Sequence, residues 1–362
     1  MKRNIFSQGR GLLLMVIIVA LLFGMLGEAK AAPNFKGKVI VLVVPIFAGG
    51  GTDINARLIS RYLGKFIPGN PAIVVRNMAG AAAIIGVNYA YAAKPNGLTI
   101  VITDGKANIQ NLVRPKGIDF KLEEMIPILV SATGTVFFAR PGVIKEPKDL
   151  LTGKGVICGN EDPSGGTGFS FVCAKELLRI HFEKEVWGYP GDAARRLAFL
   201  AGEINLTVAS SVSYRSSMGP YLERGQAVPI FQSGILDEKG NVIRDVPDIP
   251  TTPEIYEQIH GKAPSGPAWD MYKVMVAGRT FGRLLLFPPK TPAEIVNVYR
   301  KAAVEMVKDP EFLAESKKIE PGGRHLVGEP LARTYLDGIS ARPEVVAFIK
   351  KVLSEKYNIV MD

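Results

Sequence analysis

The chain has 362 residues and carries 44 Lys and Arg against 34 Asp and Glu, a formal net charge of +10. Its 47% hydrophobic content and absence of low-complexity stretches exclude an intrinsically disordered protein. The positive charges are scattered, and the doublets Lys317-Lys318 and Lys350-Lys351 read as solvated helix faces, so no nucleic-acid partner is expected.

The first predicted element is a targeting signal. Lys2, Arg3 and Arg10 precede the apolar run Leu12 to Leu26, which Ala29-Lys30-Ala31 closes. A positive start, apolar middle and small-x-small end describe a cleaved secretory signal over residues 1–31, cut after Ala31. A retained N-terminal anchor is the other reading. No cysteine near the cut suggests a lipid anchor, and no later segment approaches about 18 uninterrupted apolar residues. The mature chain is therefore expected to be exported and soluble. Without Lys2, Arg3, Arg10, Lys30 and Glu28 the net charge is +7, a balance that suits an anionic small ligand. About 330 residues bury ample core, in two domains.

Val39 to Val44 is an unbroken apolar, mostly β-branched run, the pattern of a strand buried on both faces. It breaks at Pro45, crosses Gly49-Gly50-Gly51 and reaches Thr52-Asp53, after which Ile54, Leu58, Ile59 and Leu63 recur at helical spacing. A strand turning through glycines into a helix start exposes several backbone N–H groups at the positive end of a helix dipole. That arrangement holds a carboxylate or phosphate without a charged side chain.

A strand at Ala72-Ile73-Val74-Val75, a helix from Ala82 to Ala93 and a strand at Leu98 to Ile102 follow, the last two joined by the turn Pro95-Asn96-Gly97. Alternating strands and helices imply parallel βαβ units. The adjacent strands Ile128-Leu129-Val130 and Thr135 to Phe138 mark the crossover into a second lobe. There the pattern resumes: strand Val156-Ile157-Cys158, helix Ser170 to Ile180, strand Glu185-Val186-Trp187, helix Ala193 to Ala201, strand Ile204 to Ala209, helix Ser216 to Arg224 and strand Val228 to Phe231. Leu284 to Phe287 reads as a strand returning to the first lobe. Helices at Pro292 to Lys308, Glu311 to Ile319, Pro330 to Leu336 and Pro343 to Tyr357 end the chain; Thr291-Pro292-Ala293-Glu294 is a strong helix start. The expected architecture is α/β: two lobes, residues 32–134 with 258–362 and residues 135–257, joined by a doubly crossed hinge over a ligand cleft.

No catalytic constellation is found. His181, His260 and His325 lack metal-ligand spacing, and neither a Gly-x-Ser-x-Gly elbow nor a Gly-x-x-x-x-Gly-Lys-Ser/Thr loop occurs. Asp245 and Asp248 sit in a Pro-rich segment and read as turn residues. No metal, cofactor or catalytic residue is expected. A second glycine-rich turn, Gly159 to Gly168, again joins a buried strand to a helix. Either loop alone is an ordinary βα turn. Two at equivalent places in two lobes can clamp both ends of a dicarboxylate.

These residues carry a resemblance to a known family, the extracytoplasmic solute receptors of tripartite tricarboxylate transporters, or Bug receptors. Its signature is similar to Pro45, Gly49-Gly50-Gly51-Thr52-Asp53 and Ala56-Arg57, then Asn77, Gly80-Ala81, Ile85-Gly86, Pro95, Gly97 and Thr99. Weaker matches are Gly166 and Gly168, Tyr189 and Gly191, Gly202 to Leu206, Asp248 to Thr251, and Thr291-Pro292. The resemblance implies a periplasmic type II binding-protein fold that closes on a small carboxylate held largely by loop backbone amides and ordered waters. The sequence departs from the pattern at Phe169, where a hydroxyl residue is frequent, at Val172 in place of a histidine, and at Asp104 and Lys106 in place of small polar residues.

The ligand-binding set expected from both arguments is Phe47, Ala48, Gly49, Gly50, Gly51, Thr52 and Asp53 in the first loop, and Thr103, Asp104 and Lys106 after the third strand. In the second lobe it is Ser164, Gly165, Gly166, Thr167, Gly168 and Phe169, with Tyr189. Phe169 reads equally as a core residue. Trp187 and Trp269 read as core before pocket. Cys158 and Cys173 form either a disulfide, which an oxidising periplasm permits, or two buried thiols. The leading function is a monomeric, non-enzymatic receptor that captures a small organic anion (a di- or tricarboxylate, amino acid or aromatic acid) and delivers it to membrane permease subunits. The alternatives are an exported α/β enzyme using Asp53 or Asp104 as base on a carboxylate or phosphate ester, and a sensor for a signalling partner; the lack of a nucleophile–base set disfavours the enzyme.

Overall fold

The computed structural model describes residues 33–237, 239–319, 325–328, 331, 335–336 and 339–360. The expected signal segment 1–31 lies outside them, as does most of the helix expected at Pro330 to Leu336. Strand β1 (Val39–Val44) leads into α1 (Gly51–Phe66), followed by β2 (Ala72–Asn77), α2 (Ile84–Tyr91), β3 (Thr99–Ile102), α3 (Gly105–Val113) and β4 (Ile126–Ser131). The chain then crosses to β5 (Thr135–Ala139), α4 (Asp149–Thr152), β6 (Ile157–Gly159), α5 (Gly166–Leu178), β7 (Lys184–Val186), α6 (Asp192–Ala201), β8 (Leu206–Ser210), α7 (Ser211–Glu223) and β9 (Val228–Gln232). After the small hairpin β10 (Ile235–Leu236) and β11 (Val242–Ile243) come α8 (Thr252–His260), α9 (Pro267–Thr280), β12 (Arg283–Phe287), α10 (Ala293–Met306), α11 (Pro310–Ile319), β13 (His325–Val327) and α12 (Pro343–Tyr357).

Two mixed sheets result. One has the order β13-β4-β12-β3-β1-β2, the other β7-β6-β8-β5-β9. In the first, β2, β1 and β3 are parallel and β12 runs antiparallel beside β3. In the second, β7, β6 and β8 are parallel and β5 runs antiparallel beside β8. Each sheet is thus a parallel three-strand unit extended by a strand that lies at a crossing between the lobes. The C-terminal ends of the parallel strands, where ligands bind in open α/β sheets, are also where the helices begin.

Most elements form where apolar periodicity places them, and the departures have physical causes. The helix expected from Ala82 starts only at Ile84, because Ala81, Ala82 and Ala83 have positive φ (44, 48 and 79°). This turn brings α2 hard against the first loop: a Cβ on Gly86 would lie 2.8 Å from both Pro45 Cα and the Met78 carbonyl. Helix α3 has no apolar spacing to mark it, because it buries polar residues. Asn108 Nδ2 donates to the Gly278 carbonyl at 3.1 Å and Gln110 Nε2 to Ser164 Oγ at 3.0 Å. Helix α8, which the apolar spacing does not reveal, starts with a Thr251–Glu254 capping box.

Helices α9 and α12 belong to the continuous stretch expected with the first lobe, 258–362, yet their apolar faces pack elsewhere. Met271, Tyr272, Met275, Ile349 and Leu353 share one cluster with Phe137, Phe171 and Phe231 of the second lobe. Trp187 and Trp269 pack on the same cluster, the first edge-on to Phe171 at 5.6 Å and the second stacked on Tyr272. Cys158 and Cys173 are buried free thiols, and burial pushes both thiol pKa values well up.

His325 ties β13 to β4 and α11. Its Nδ1 lies 2.9 Å from Ser131 Oγ and its Nε2 2.9 Å from Ser316 Oγ. Burial, with a contribution from Arg283, lowers its pKa to about 4 from 6.5. Between those values the unfolded chain binds a proton that the folded chain does not. Stability is therefore full above pH 6.5 and falls as pH drops towards 4, by up to about 3 kcal/mol. His325→Gln, which keeps hydrogen-bonding groups but does not titrate, is expected to flatten this fall in urea midpoints measured from pH 7 to 4.5. Parallel profiles for parent and variant would clear His325 as its source.

Candidate functional site

Five helices begin at strand ends around one space. Helix α1 follows β1 at Gly51, α3 follows β3 at Gly105, α5 follows β6 at Gly166, α6 follows β7 at Asp192, and α7 follows β8 at Ser211. Between their first turns lies a cavity of about 40 Å³, room for about three water molecules. A helix start carries unpaired N–H groups and the positive end of a dipole; here Asp104 and Ser210 cap α3 and α7, and α1, α5 and α6 have no side-chain cap. The lobes meet closely here. A Cβ on Gly51 would lie 2.2 Å from Ser210 Oγ, and one on Gly166 would lie 2.7 Å from Lys106 Cε.

Of the residues expected in the site, Phe47, Gly50, Gly51, Thr52, Asp104, Lys106, Gly166 and Thr167 line the cavity. The remainder do not line it, and each has another role. Ala48 and Gly49 are exposed at the mouth, and Gly49 is the first-loop glycine with positive φ (83°). Asp53 holds that loop: it accepts from Gly49 N at 2.9 Å, Arg57 Nε at 3.0 Å and Asn77 Nδ2 at 3.0 Å. Burial pushes its carboxyl pKa up, but these hydrogen bonds outweigh burial and leave it below the usual range. With both oxygens engaged it cannot serve as a free base. Thr103 donates to the buried Gly282 carbonyl, Ser164 is bonded to Asp162 and Gln110, and Gly165 is the N-cap of α5. Gly168 is required by packing, since a Cβ there would lie 1.9 Å from the Asp162 carbonyl. Tyr189 packs on the Phe138–Phe199 cluster.

Phe169 is a correction. It is 1% exposed and sits in the second lobe's core with Phe171 and Val172. Three residues beyond Gly166, its side chain is carried off the cavity wall into the apolar interior, so the missing hydroxyl does not shape the site.

The cavity also takes residues outside the expected ligand-binding set: Ile46, Glu161, Gly191, Asp192, Ser210, Arg279 and Arg283. Lys106 does not point at a ligand. Its Nζ crosses to Glu161 Oε2 at 2.5 Å, while Arg195 Nη1 holds Glu161 Oε1 at 2.9 Å and Arg195 also pairs with Asp192. Burial opposes the Glu161 charge, but Lys106 and Arg195 overcome it and hold the carboxyl well below its usual pKa. Asp104 caps α3 by accepting the Lys106 N–H at 2.9 Å, and burial raises its pKa. Arg279 and Arg283 are 5% and 1% exposed. Arg279 Nη2 donates to the Gly134 carbonyl, in the crossing between the lobes, at 3.1 Å. Burial and the neighbouring Arg283 lower the Arg279 pKa to about 10.

The chain has relatives in sequence and in fold among known proteins. No family model matches the chain. A UPF0065 protein of Bordetella pertussis (strain Tohama I) is 26% identical over 315 residues, 83% of this chain and 86% of that protein. BugT of the same organism is 28% identical over 142 residues, 38% of this chain and 43% of BugT. A UPF0065 protein from the tcbD-tcbE intergenic region of Pseudomonas sp. (strain P51) is 27% identical over 203 residues. That match spans 53% of this chain and 58% of the Pseudomonas protein's length. Among solved structures, the periplasmic binding protein BugD superposes with a TM-score of 0.65 over 88% of this chain and 98% of BugD, at 18% identity.

The chain is similar in sequence to BugT and in fold to BugD. Its fold is that of the periplasmic binding proteins. Two solved relatives in fold carry acids: MatC of Rhodopseudomonas palustris with malate (TM-score 0.61, 18% identity, 89% of this chain and 98% of MatC) and an R. palustris protein with adipate (0.63, 18%, 89% and 98%). Among the described residues no helix is long and apolar enough to cross a membrane. The site departs from a purely backbone clamp in having six charged side chains on its wall.

Proposed function

We propose that this protein is a non-enzymatic solute receptor that closes on a small organic acid in the periplasm. It would then deliver that acid to permease subunits of a tripartite tricarboxylate-type transporter. The observation that carries the reading is the convergence of five helix N-termini and two buried arginines on one cavity between the two sheets. Helix starts concentrate partial positive charge where strand ends open, and a guanidinium adds two parallel donors matched to a carboxylate. Malate and adipate on proteins of this fold support an acid as the ligand class. Export to the periplasm rests on the N-terminal pattern Lys2 to Ala31, and delivery to a permease rests on kinship.

A thermal-shift screen of di- and tricarboxylates, amino acids and aromatic acids tests the reading. An acid at a hundred times its dissociation constant stabilises the folded state by about 2.7 kcal/mol. At least one acid is expected to raise the melting temperature, and a flat response across the panel would sink the proposal.

A further inference from the structure

The charged groups on the cavity wall are not equally committed. Glu161 is engaged by Lys106 and Arg195, and Asp192 by Arg195. Asp104 is different. It is 6% exposed, uses Oδ1 to cap α3, and makes no ion pair within 4 Å among the described residues. Capping alone does not call for its charge, because Ser, Thr or Asn caps a helix equally well. Arg279 is its counterpart. It is buried, gives one hydrogen bond to the Gly134 carbonyl, and its Nε has no hydrogen-bond partner.

The two are neighbours as well as opposites. A Cβ on Gly105, the residue after Asp104, would lie 3.4 Å from Arg279 Nη1. Both line the same cavity, and they do not close on each other. A dicarboxylate would satisfy the arginine but bring a second negative group towards a buried carboxylate, where like charges repel strongly. A molecule with a carboxylate and an ammonium meets both demands.

Resting on the receptor reading above, we propose that the ligand is an α-amino acid or another small zwitterion. Its carboxylate is held by Arg279 with the first turns of α1 and α5, and its ammonium by Asp104.

Calorimetry with pairs that differ only in an amino or hydroxy group tests this: L-aspartate against L-malate, L-glutamate against 2-hydroxyglutarate, and L-alanine against L-lactate. In at least one pair the amino acid is expected to bind tenfold or more tighter, and Asp104→Asn, which still caps α3, is expected to bring that ratio near one. A hydroxy acid bound as tightly as its amino partner in every pair overturns the zwitterion but leaves the acid receptor standing. So does a ratio that survives Asp104→Asn. No binding by any member overturns the zwitterion, and only a flat response across the wider acid panel overturns the receptor as well. The parent protein's preference decides the matter even where the variant fails to fold, and Asp104→Ser provides a second capping variant without the charge.

Discussion

Gly51→Ala is expected to weaken binding of the acid selected by the screen by a hundredfold or more, about 2.7 kcal/mol, while the protein stays folded. The added methyl has no room in the closed cleft. It would stand 2.2 Å from Ser210 Oγ, 2.6 Å from Arg283 Nη2 and 3.2 Å from Ser213 Oγ. Ser210 and Ser213 begin α7 in the second lobe, so the methyl acts as a wedge between the lobes. It leaves the apolar clusters under each sheet intact, and for that reason binding suffers before folding does. The neighbouring glycine is the control. Gly50 has an ordinary φ of −79°, and a Cβ there would meet only the mobile end of Ile46 at 3.0 Å with the Phe47 carbonyl at 3.7 Å. Gly50→Ala should therefore bind nearly as the parent does. Calorimetry on both variants, with a circular-dichroism melt for folding, checks the pair. Parent-like affinity in Gly51→Ala would mean that the cleft binds without closing at this point.

The three glycines also show where sequence reasoning reaches and where it stops. The run Gly49-Gly50-Gly51 marks the loop correctly as a strand-to-helix turn facing the cavity, because local chemistry decides that much. It does not say which glycine does what. The positive φ falls at Gly49 and the close approach at Gly51, and the latter is set by Ser210, some 160 residues away. The same distinction explains the charged wall. Asp104 and Lys106 were visible as departures from a family pattern, but the direction of Lys106 depends on Glu161 across the cleft. Glu161 lies in a glycine-rich loop whose local pattern gives its carboxylate no distinct signal. Gly191 had a signal as a family position, and Ser210 had one in the run Ala209-Ser210-Ser211-Val212-Ser213 at a strand end. Arg279 and Arg283 had none. One closes a helix broken by buried polar groups, and the other opens an apolar strand where an arginine ordinarily snorkels to solvent. Only the packing of α9 and β12 at the crossing turns both towards the cavity.

Glu161→Gln is expected to cost about 3 kcal/mol or more of stability. The carboxylate is the one acceptor shared by Lys106 from the first lobe and Arg195 from the second, at 2.5 and 2.9 Å, with side chains 13% and 2% exposed. Removing its charge strands the buried Lys106 ammonium and takes one of two carboxylate partners from Arg195. Breaking a buried pair by deleting one partner typically costs about 3–5 kcal/mol, far more than the intact pair contributes relative to apolar replacements. Arg195 retains Asp192, so most of the damage falls on Lys106. This predicts a specific rescue. Lys106→Met added to Glu161→Gln removes the stranded ammonium, and the double variant should be more stable than Glu161→Gln alone. Groups in one ion-pair network couple by about 0.5–3 kcal/mol, large enough to read in urea midpoints at pH 7. Since the pair joins the lobes, ligand affinity should fall in the single variant as well, through a cleft that closes less firmly. Additive losses in the double variant, or a single variant within about 0.5 kcal/mol of the parent, would show that Lys106 finds solvent when Glu161 is neutral and that the bridge does not hold the cleft shut.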